Sequence, residues 1–385
     1  MKVIYLDNNA TTRVSAEVLE EMLPYFSDFY GNPSSMHRFG GNVARTIRQA
    51  REKIAALIGA HPEEIILTSC GTESDSTAIW AAIESNPDKK HIITSKVEHP
   101  AVKNLCEHLA KQKGYRVTFV PVDRLGILDL NYLYDHLSDD TAIVSIMWAN
   151  NETGVIFPVE EISLIVKDRG IVFHTDAVQA VGKIPIDLQN SGIDLLSISG
   201  HKLHGPKGIG ALYIRKGTKF SPFLIGGHQE QGRRGGTENV SSIIGLGKAC
   251  ELAGQHIDEE NTRIRKLRDR LESELIKRIP NTRINGTLDH RLPNTTSLGF
   301  DSVEGEAILL MMDELGICAS SGSACTSGSL EPSHVLRAMG IPFTSAHGSI
   351  RFSLSIYNTE EEINFVIDQL PGIIIRLREM SPFWK

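Results

Sequence analysis

The chain has 385 residues, of which 41% are apolar and 23% are charged, and its formal net charge is -7. This mild acidity favours neither nucleic acid nor an anionic membrane surface as a partner, and the length predicts two domains rather than one. No segment approaches the roughly 20 consecutive apolar residues of a membrane span, and the first apolar run is too short for a signal peptide. We therefore expect a cytoplasmic protein.

The early part of the chain alternates short apolar runs with amphipathic stretches. The β-rich runs cover 63–69, 91–95, 115–122, 141–149, 170–176 and 194–200, and residues 75–83 have apolar side chains at helical spacing. Such alternation predicts an α/β fold with a large, mostly parallel sheet covered by helices.

The pattern changes after about residue 255. The sequence predicts a long charged helix over 260–279, strands over 295–300 and 348–355, and helices over 304–316 and 359–380. We expect a large domain over 15–255 and a smaller α+β domain over 256–385. The amino-terminal segment 1–14 can pack with either, and we assign it to the small domain.

Two polar residues end consecutive predicted strands. Asp176 closes GIVFHTD, and Lys202 follows 194–200 in SISGHKLHGPKGIG. Ligands of parallel α/β sheets bind at the strand ends, and a lysine near a carboxylate there would suit pyridoxal phosphate, whose ring nitrogen must keep its proton. Taken singly, Asp176 reads as a helix cap and Lys202 as a solvated loop lysine.

Other candidates lie at similar strand-to-loop positions. Gly71 and Thr72 precede a predicted helix, where backbone N–H groups can bind a phosphate, although Thr72 can equally be a simple N-cap. His99 could stack on a flat ring and move protons. Arg351 alternates with apolar residues of its strand, so it faces the other side, either solvated or as a planar fork for a carboxylate.

The five cysteines are scattered along the chain and odd in number, which is not the pattern of a disulfide framework. They are Cys70, Cys106, Cys250, Cys318 and Cys325. Residues 319–329, ASSGSACTSGS, contain only Ala, Ser, Gly and Thr around Cys325. This composition packs poorly and predicts a flexible loop. An accessible thiol there would be reactive, or else a harmless surface cysteine.

The chain resembles the cysteine desulfurases, and among them the nitrogen-fixation (NifS) type with a long cysteine loop. The resemblance is carried by ten ordered motifs: YLDNNATT (5–12), GNPSSMH (31–37), TSCGTESDS (68–76), VEHPAV (97–102), MWANNETG (147–154), HTDAVQA (174–180), SGHKLHGPKG (199–208), GGHQEQGRRGGTEN (226–239), SSGSACTSGS (320–329) and IRFSLS (350–355). Ten motifs in order make a far more specific match than any single one.

The resemblance implies an aminotransferase-like fold (fold type I), a homodimer and pyridoxal phosphate as cofactor. It implies Lys202 as the lysine that carries the cofactor, with His99 over the ring. The remaining implied cofactor contacts are Gly71, Thr72, Asn151, Asp176, Gln179, Ser199, Gly200, His201 and, toward the other subunit, Thr237. Arg351 and Asn32 would bind the substrate carboxylate.

The resemblance further implies that Cys325 takes sulfur from L-cysteine as a persulfide while L-alanine leaves. The sulfur would pass to an iron–sulfur scaffold or another acceptor protein, for nitrogenase maturation, with Cys325 as a transient iron–sulfur ligand shared with the scaffold. Three alternatives stay open at this point: a housekeeping desulfurase or selenocysteine lyase, a transaminase on the same fold, and a metal-binding or scaffold protein that uses His201, His204 and the cysteines.

Overall fold

A computed structural model describes residues 3–321, 332–382 and 384. Cys325 and most of the predicted loop 319–329 lie outside the described residues. The strands are β1 (Ile4–Tyr5), β2 (Ile65–Thr68), β3 (His91–Ser95), β4 (Arg116–Val120), β5 (Thr141–Ser145), β6 (Val172–Asp176), β7 (Leu195–Ser199), β8 (Gly210–Ile214), β9 (Thr282–Ile284), β10 (Thr295–Phe300), β11 (Ile317–Cys318), β12 (Ser320–Ser321) and β13 (Ser349–Ser353).

The helices alternate with the strands in the first half of the chain and cluster in the second. They are α1 (Ala16–Met22), α2 (Pro24–Ser27), α3 (Arg38–Leu57), α4 (Gly71–Glu84), α5 (Pro100–Lys113), α6 (Leu130–His136), α7 (Val159–Asp168), α8 (Val240–Glu259), α9 (Arg265–Arg278), α10 (Gly305–Asp313), α11 (His334–Ala338), α12 (Phe343–Ala346) and α13 (Glu360–Met380).

The large sheet has seven strands in the order β2-β8-β7-β6-β5-β3-β4. Its neighbours pair in parallel except at β8, which is antiparallel to both β2 and β7. Because β2 and β7 both oppose β8, β2 runs in the same direction as the parallel strands. The carboxyl ends of β2, β3, β5, β6 and β7 therefore meet at one edge, and the predicted fold class is confirmed.

A second, smaller sheet has the order β12-β13-β10-β9 and is antiparallel throughout. Ile350, Phe352 and Leu354 from β13 and the residue after it pack with α9 and α13 in a core separate from that of the large sheet. β1 pairs in parallel with β11, and Leu6 belongs to this second core. The predicted domain boundaries after residues 14 and 255 stay a prediction.

The helical stretch between the two cores is longer than the sequence predicts. Charged residues begin the expected helix at 260, but α8 already starts at Val240, and a π-helical turn, Glu260–Ile264, joins it to α9. The missed part, VSSIIGLGKACELAGQ, is rich in small and apolar residues, and it is buried against α3 rather than amphipathic.

The interpretation of Thr72 as an N-cap is wrong. The N-cap of α4 is Cys70, without a side-chain capping bond, so Thr72 lies inside the first turn. Within the described part of the chain, no helix is both long and apolar enough to cross a membrane.

Candidate active site

A cavity of about 420 Å³ opens at the edge of the large sheet where the parallel strands end. Its lining is mostly polar and comes from loops that are distant in sequence. The lining residues are Asn9, Ala10, Cys70, Gly71, Thr72, Asp75, His99, Met147, Asn151, Asp176, Val178, Gln179, Ser199, His201, Lys202 and Arg351. The strand ends thus bring together most of the side chains that the sequence singles out.

Lys202 reaches the cavity from a tight turn after β7. Gly200 starts this 3₁₀ turn, and a Cβ at that position would lie 2.8 Å from Ile209 and 3.0 Å from a backbone oxygen, so only glycine fits there. Lys202 Nζ donates to the backbone oxygens of Asn9, at 2.5 Å, and Ala10, at 2.6 Å. Burial, together with the positive charge of Arg351, lowers the pKa of Lys202 to about 8. The lysine can therefore exchange a proton near neutral pH.

Asp176 is the last residue of β6 and is 5% exposed. Its Oδ1 accepts a hydrogen bond of 2.9 Å from the Val178 backbone N–H. Burial raises the pKa of Asp176, and the neighbouring His99 and Lys202 oppose that shift. A buried carboxylate with only partial pairing is suited to hold a proton on a bound cation.

His99 is fixed as the N-cap of α5, where its Nδ1 accepts a hydrogen bond from the Ala101 N–H at 3.2 Å. The proton of the neutral ring therefore lies on Nε2. Burial lowers the pKa of His99, which keeps the ring neutral near pH 7. A neutral, flat ring beside Asp176 and Lys202 is suited to stack on an aromatic ligand.

The other end of the cavity is suited to bind an anion. Helix α4 begins at Gly71, where a Cβ would approach Val178 to 3.0 Å and Ser199 to 3.4 Å. Ser199 Oγ is buried and has no hydrogen-bond partner among the described residues. A helix N-terminus beside an unpaired hydroxyl fits a phosphate group. Together with Asp176 in the same cavity, these residues fit pyridoxal phosphate.

Arg351 lies on β13 and points away from the core that Ile350 and Phe352 help to form. Its Nη2 donates to Asp7 Oδ1 at 2.8 Å, and its Nη1 donates to the Asn151 backbone oxygen at 2.9 Å. Its Nε is buried without a partner among the described residues. The guanidinium is thus held at the cavity with N–H groups still free for a ligand.

Gln179 joins the same wall of the cavity, since its Nε2 donates to the Asn9 backbone oxygen at 3.0 Å. His201 contacts the amino-terminal segment through Thr11 Oγ1, at 3.2 Å, and burial lowers its pKa to about 4. Both residues were selected from the sequence, and both line the cavity.

Three predicted site residues in the described part of the chain do not line this cavity: Gly200, which lies in the turn between the lining residues Ser199 and His201, and Asn32 and Thr237. Asn32 is exposed, and its Oδ1 accepts from the Ser34 N–H at 2.8 Å. Thr237 lines a separate pocket near Arg234 and Glu230. Within one chain neither Asn32 nor Thr237 reaches Lys202, and Cys325 lies outside the described residues. The roles predicted for all of these residues stay predictions.

Several residues at the site were not selected from the sequence: Asn9 and Asp75 line the cavity, and Asp7 pairs with Arg351. Asp75 is 1% exposed, and its Oδ1 has no hydrogen-bond partner in the described part of the chain. Burial, and then the neighbouring Asp176, raises the pKa of Asp75 well above its ordinary value. Asp7, Asn9 and Asp75 all fall inside quoted motifs, so the signal was present, but nothing in the sequence shows which motif residues turn inward.

Comparisons with known proteins identify the family of the chain. The profile of the aminotransferase class-V family matches residues 4–366. A protein of Trichormus azollae named cysteine desulfurase is 61% identical over 383 residues, which cover 100% of this chain and 96% of the relative. Cysteine desulfurase NifS of Azotobacter vinelandii is 58% identical over 386 residues, again covering 100% and 96%.

Solved structures are similar over nearly the whole chain. A NifS-like protein superposes with a TM-score of 0.92 at 41% identity and covers 98% of this chain and 100% of its own. The structure titled "SspA in complex with cysteine" gives a TM-score of 0.81 at 36% identity, covering 92% and 99%. These proteins are enzymes that depend on pyridoxal phosphate. The chain belongs to the aminotransferase class-V family and, within it, to the cysteine desulfurases.

Proposed function

We propose that this protein removes sulfur from L-cysteine with pyridoxal phosphate, yielding L-alanine and a persulfide on Cys325. The observation that carries the proposal is the single cavity that holds Lys202, Asp176 and Arg351, in a chain 61% identical to a cysteine desulfurase. When bound, the cofactor supplies an electron sink for the charge that develops at the substrate Cα.

Individual residues of the chain bind the substrate and the cofactor and transfer the proton. Arg351 binds the substrate carboxylate, and Asp176 keeps the proton on the ring nitrogen. Lys202 carries the cofactor in the resting enzyme and then moves the proton of the substrate Cα, for which its lowered pKa of about 8 suits it. Gly71, Thr72 and Ser199 hold the phosphate.

Cys325 completes the reaction. Its thiolate attacks the sulfur of the bound substrate, so that an S–S bond forms while the Cβ–S bond breaks. The electron pair of the broken bond stays with the carbon skeleton, which takes up a proton and leaves as L-alanine. The sulfur remains on Cys325 as a persulfide, ready for transfer to an acceptor.

We also propose an oligomeric state, a cellular location and a sulfur acceptor for the protein. The enzyme works as a homodimer in the cytoplasm, with Thr237 directed to the cofactor phosphate of the other subunit. An iron–sulfur scaffold or another acceptor protein receives the sulfur. The name NifS of the Azotobacter vinelandii relative supports a role in nitrogenase maturation.

Replacing Cys325 by alanine tests the proposal most directly. The Cys325→Ala variant should bind pyridoxal phosphate and L-cysteine normally, because its phosphate and carboxylate contacts are intact. Its alanine formation should fall by at least about 100-fold, since the nucleophile is lost. Absorbance of the bound cofactor, alanine release and mass spectrometry of the loop peptide measure the three properties.

Cys318→Ala is the matched control, because Cys318 is a second, partly exposed thiol, on β11 close to the same segment in sequence. It should keep full activity. A fully active Cys325→Ala enzyme, or persulfide sulfur on Cys318 instead, would overturn the proposal. A transaminase on the same fold would convert amino acids in both variants alike.

A further inference from the structure

The guanidinium of Arg351 already contacts a carboxylate of the protein itself. Arg351 Nη2 lies 2.8 Å from Asp7 Oδ1, and the two side chains are only 9% and 17% exposed. Among the described residues, the other hydrogen bond of Arg351 goes to the uncharged Asn151 backbone oxygen, and the buried Glu152 carboxyl interacts with the arginine electrostatically without forming an ion pair with it. Asp7 is therefore the carboxylate that directly neutralises this arginine.

Asp7 is held firmly in place by its own segment. The next residue, Asn8, donates to the Ser353 backbone oxygen from both its backbone N–H, at 3.1 Å, and its Nδ2, at 2.9 Å. The Asn9 N–H donates to Ser353 Oγ at 2.9 Å. Because Ser353 lies two residues after Arg351 on β13, these bonds fix the distance between Asp7 and the arginine.

The same segment also contacts Lys202. The Lys202 ammonium donates to the backbone oxygens of Asn9 and Ala10, two and three residues after Asp7. Asn9 and Ala10 line the cavity, so the segment contacts the lysine directly and, through Asp7, the arginine. A substrate carboxylate bound to Arg351 would therefore lie close to that of Asp7.

Two carboxylates on one guanidinium repel each other. At a separation of about 5 Å and partial burial, two like charges weaken binding by an amount that corresponds to about tenfold or more in a dissociation constant. The repulsion acts only on the carboxylate of a ligand. A ligand that keeps the ammonium and lacks the carboxylate experiences attraction to Asp7, or no effect.

We propose that Asp7 limits how tightly the site binds the substrate carboxylate by partly neutralising Arg351. Asp7 is thus a positioning and specificity-determining residue that acts through the arginine. It keeps the affinity for the amino acid product low, so that L-alanine leaves readily. This inference rests on the proposed role of Arg351 in binding the substrate.

The Asp7→Asn variant isolates the charge. Its amide oxygen can still accept the hydrogen bond from Arg351 Nη2, so the orientation of the guanidinium is kept. The dissociation constant of L-alanine, measured by calorimetry on the holoenzyme, should fall by about tenfold. The KM for L-cysteine should fall by a similar factor, with a smaller change in kcat. Binding of ethylamine, which is alanine without its carboxylate, should be unchanged or weaker.

Asp301→Asn is the matched control. Asp301 pairs with Arg283 at 3.1 Å in a partly exposed ion pair of the small sheet, and neither residue lines the cavity. This variant should bind L-alanine like the wild type. In an Arg351→Ala background, Asp7→Asn should change L-alanine binding much less, because without the arginine nothing holds the ligand carboxylate beside Asp7.

Weaker or unchanged binding of L-alanine in Asp7→Asn would overturn the inference and leave Asp7 as a structural anchor. Equal tightening of ethylamine would also overturn it. The calorimetry does not depend on turnover. If the wild type formed no alanine from L-cysteine, the proposed function would fail, while the binding comparison would still decide the role of Asp7.

Discussion

The cavity at the edge of the large sheet and the ion-pair network between α9 and the small sheet both contain buried polar groups, but these groups differ in how fully they are paired. In the network, both Glu272 oxygens bind Arg291, at 2.5 and 2.6 Å, and Thr296 donates to the same carboxylate at 2.6 Å. Arg268 donates to the backbone oxygens of Leu292 and Thr295. Of these side chains, only Arg291 leaves a nitrogen, Nε, unpaired.

The cavity and its surroundings keep several buried atoms unpaired within the described chain. These atoms are Asp75 Oδ1, Glu98 Oε2, Ser199 Oγ and Arg351 Nε. The two buried glutamates, Glu272 in the network and Glu98 near the cavity, differ accordingly in the direction of their pKa shifts. Burial alone would raise the pKa of Glu272, yet the hydrogen bonds from Arg291 and Thr296 lower it. Burial raises the pKa of Glu98 to about 8. Full pairing thus stabilises the fold, whereas incomplete pairing leaves atoms available for a ligand or a proton.

Lys202→Ala should have the largest effect and should act on rate alone. Loss of the proton-transferring amine should lower alanine formation from L-cysteine by about 10³-fold or more. The free energy of unfolding should change little, because the hydrogen bonds that Lys202 makes with described residues go to two backbone oxygens, those of Asn9 and Ala10. Lys207→Ala, an exposed lysine of the same loop, is the control and should remain active. Normal sulfide and alanine release by Lys202→Ala would contradict the assignment.

Glu272→Ala should show the opposite behaviour. It leaves the buried Arg291 without its carboxylate, which should lower the free energy of unfolding by about 3–5 kcal/mol. Urea unfolding measures the loss, and the folded fraction should keep its turnover rate. Glu107→Ala is the comparison, since it removes a half-exposed pair with Lys103 and should cost about 0.5 kcal/mol or less. Equal losses in the two variants would show that the network is not a stabilising unit.

Glu98→Gln should have the smallest effect, and the size of this effect depends on pH. Because the folded-state pKa of Glu98 is about 8 and the ordinary value is 4.5, the folded protein holds a proton that the unfolded chain releases. This contribution to stability is complete below about pH 4.5 and is lost as the pH rises to about 8. Glutamine mimics the protonated acid, so the variant should be more stable than the wild type at pH 8, by on the order of 2 kcal/mol.

Urea unfolding of both proteins at pH 5 and pH 8 checks the Glu98 prediction. At pH 5 the two proteins should differ little, because the wild-type carboxyl is then protonated. A difference that does not change between the two pH values would show that Glu98 is paired in solution like Glu272. Glu98 would then no longer be an example of an incompletely paired group near the cavity.

Sequence periodicity predicted the regular parts of the fold well. The strand expected over 295–300 coincides with β10, and that expected over 91–95 coincides with β3, since both are apolar runs with clear boundaries. β8, GALYI, was missed because a glycine-rich loop precedes it, and its antiparallel direction depends on pairing with β2 and β7. Pairing of this kind is set by tertiary contacts and leaves no local signal.

The candidate site was predictable only in part for a similar reason. Asp176, Ser199 and Lys202 follow strands, so the rule for parallel sheets places them at one edge. Arg351 could be assigned to one face of β13 by alternation, but its partner Asp7 could not be identified. That contact depends on how the amino-terminal segment folds back onto the small sheet, which no period of the sequence encodes.

The contact between Asp7 and Arg351 joins residues 344 positions apart. During synthesis the amino-terminal part of a protein leaves the ribosome first. Asp7 is therefore made long before Arg351, and the pair can form only when almost the entire chain has been synthesised. The strands of the large sheet can pair earlier, because they lie between residues 65 and 214. A nascent chain can therefore build the phosphate end of the cavity well before it can recognise a carboxylate, and only the finished protein can bind substrate.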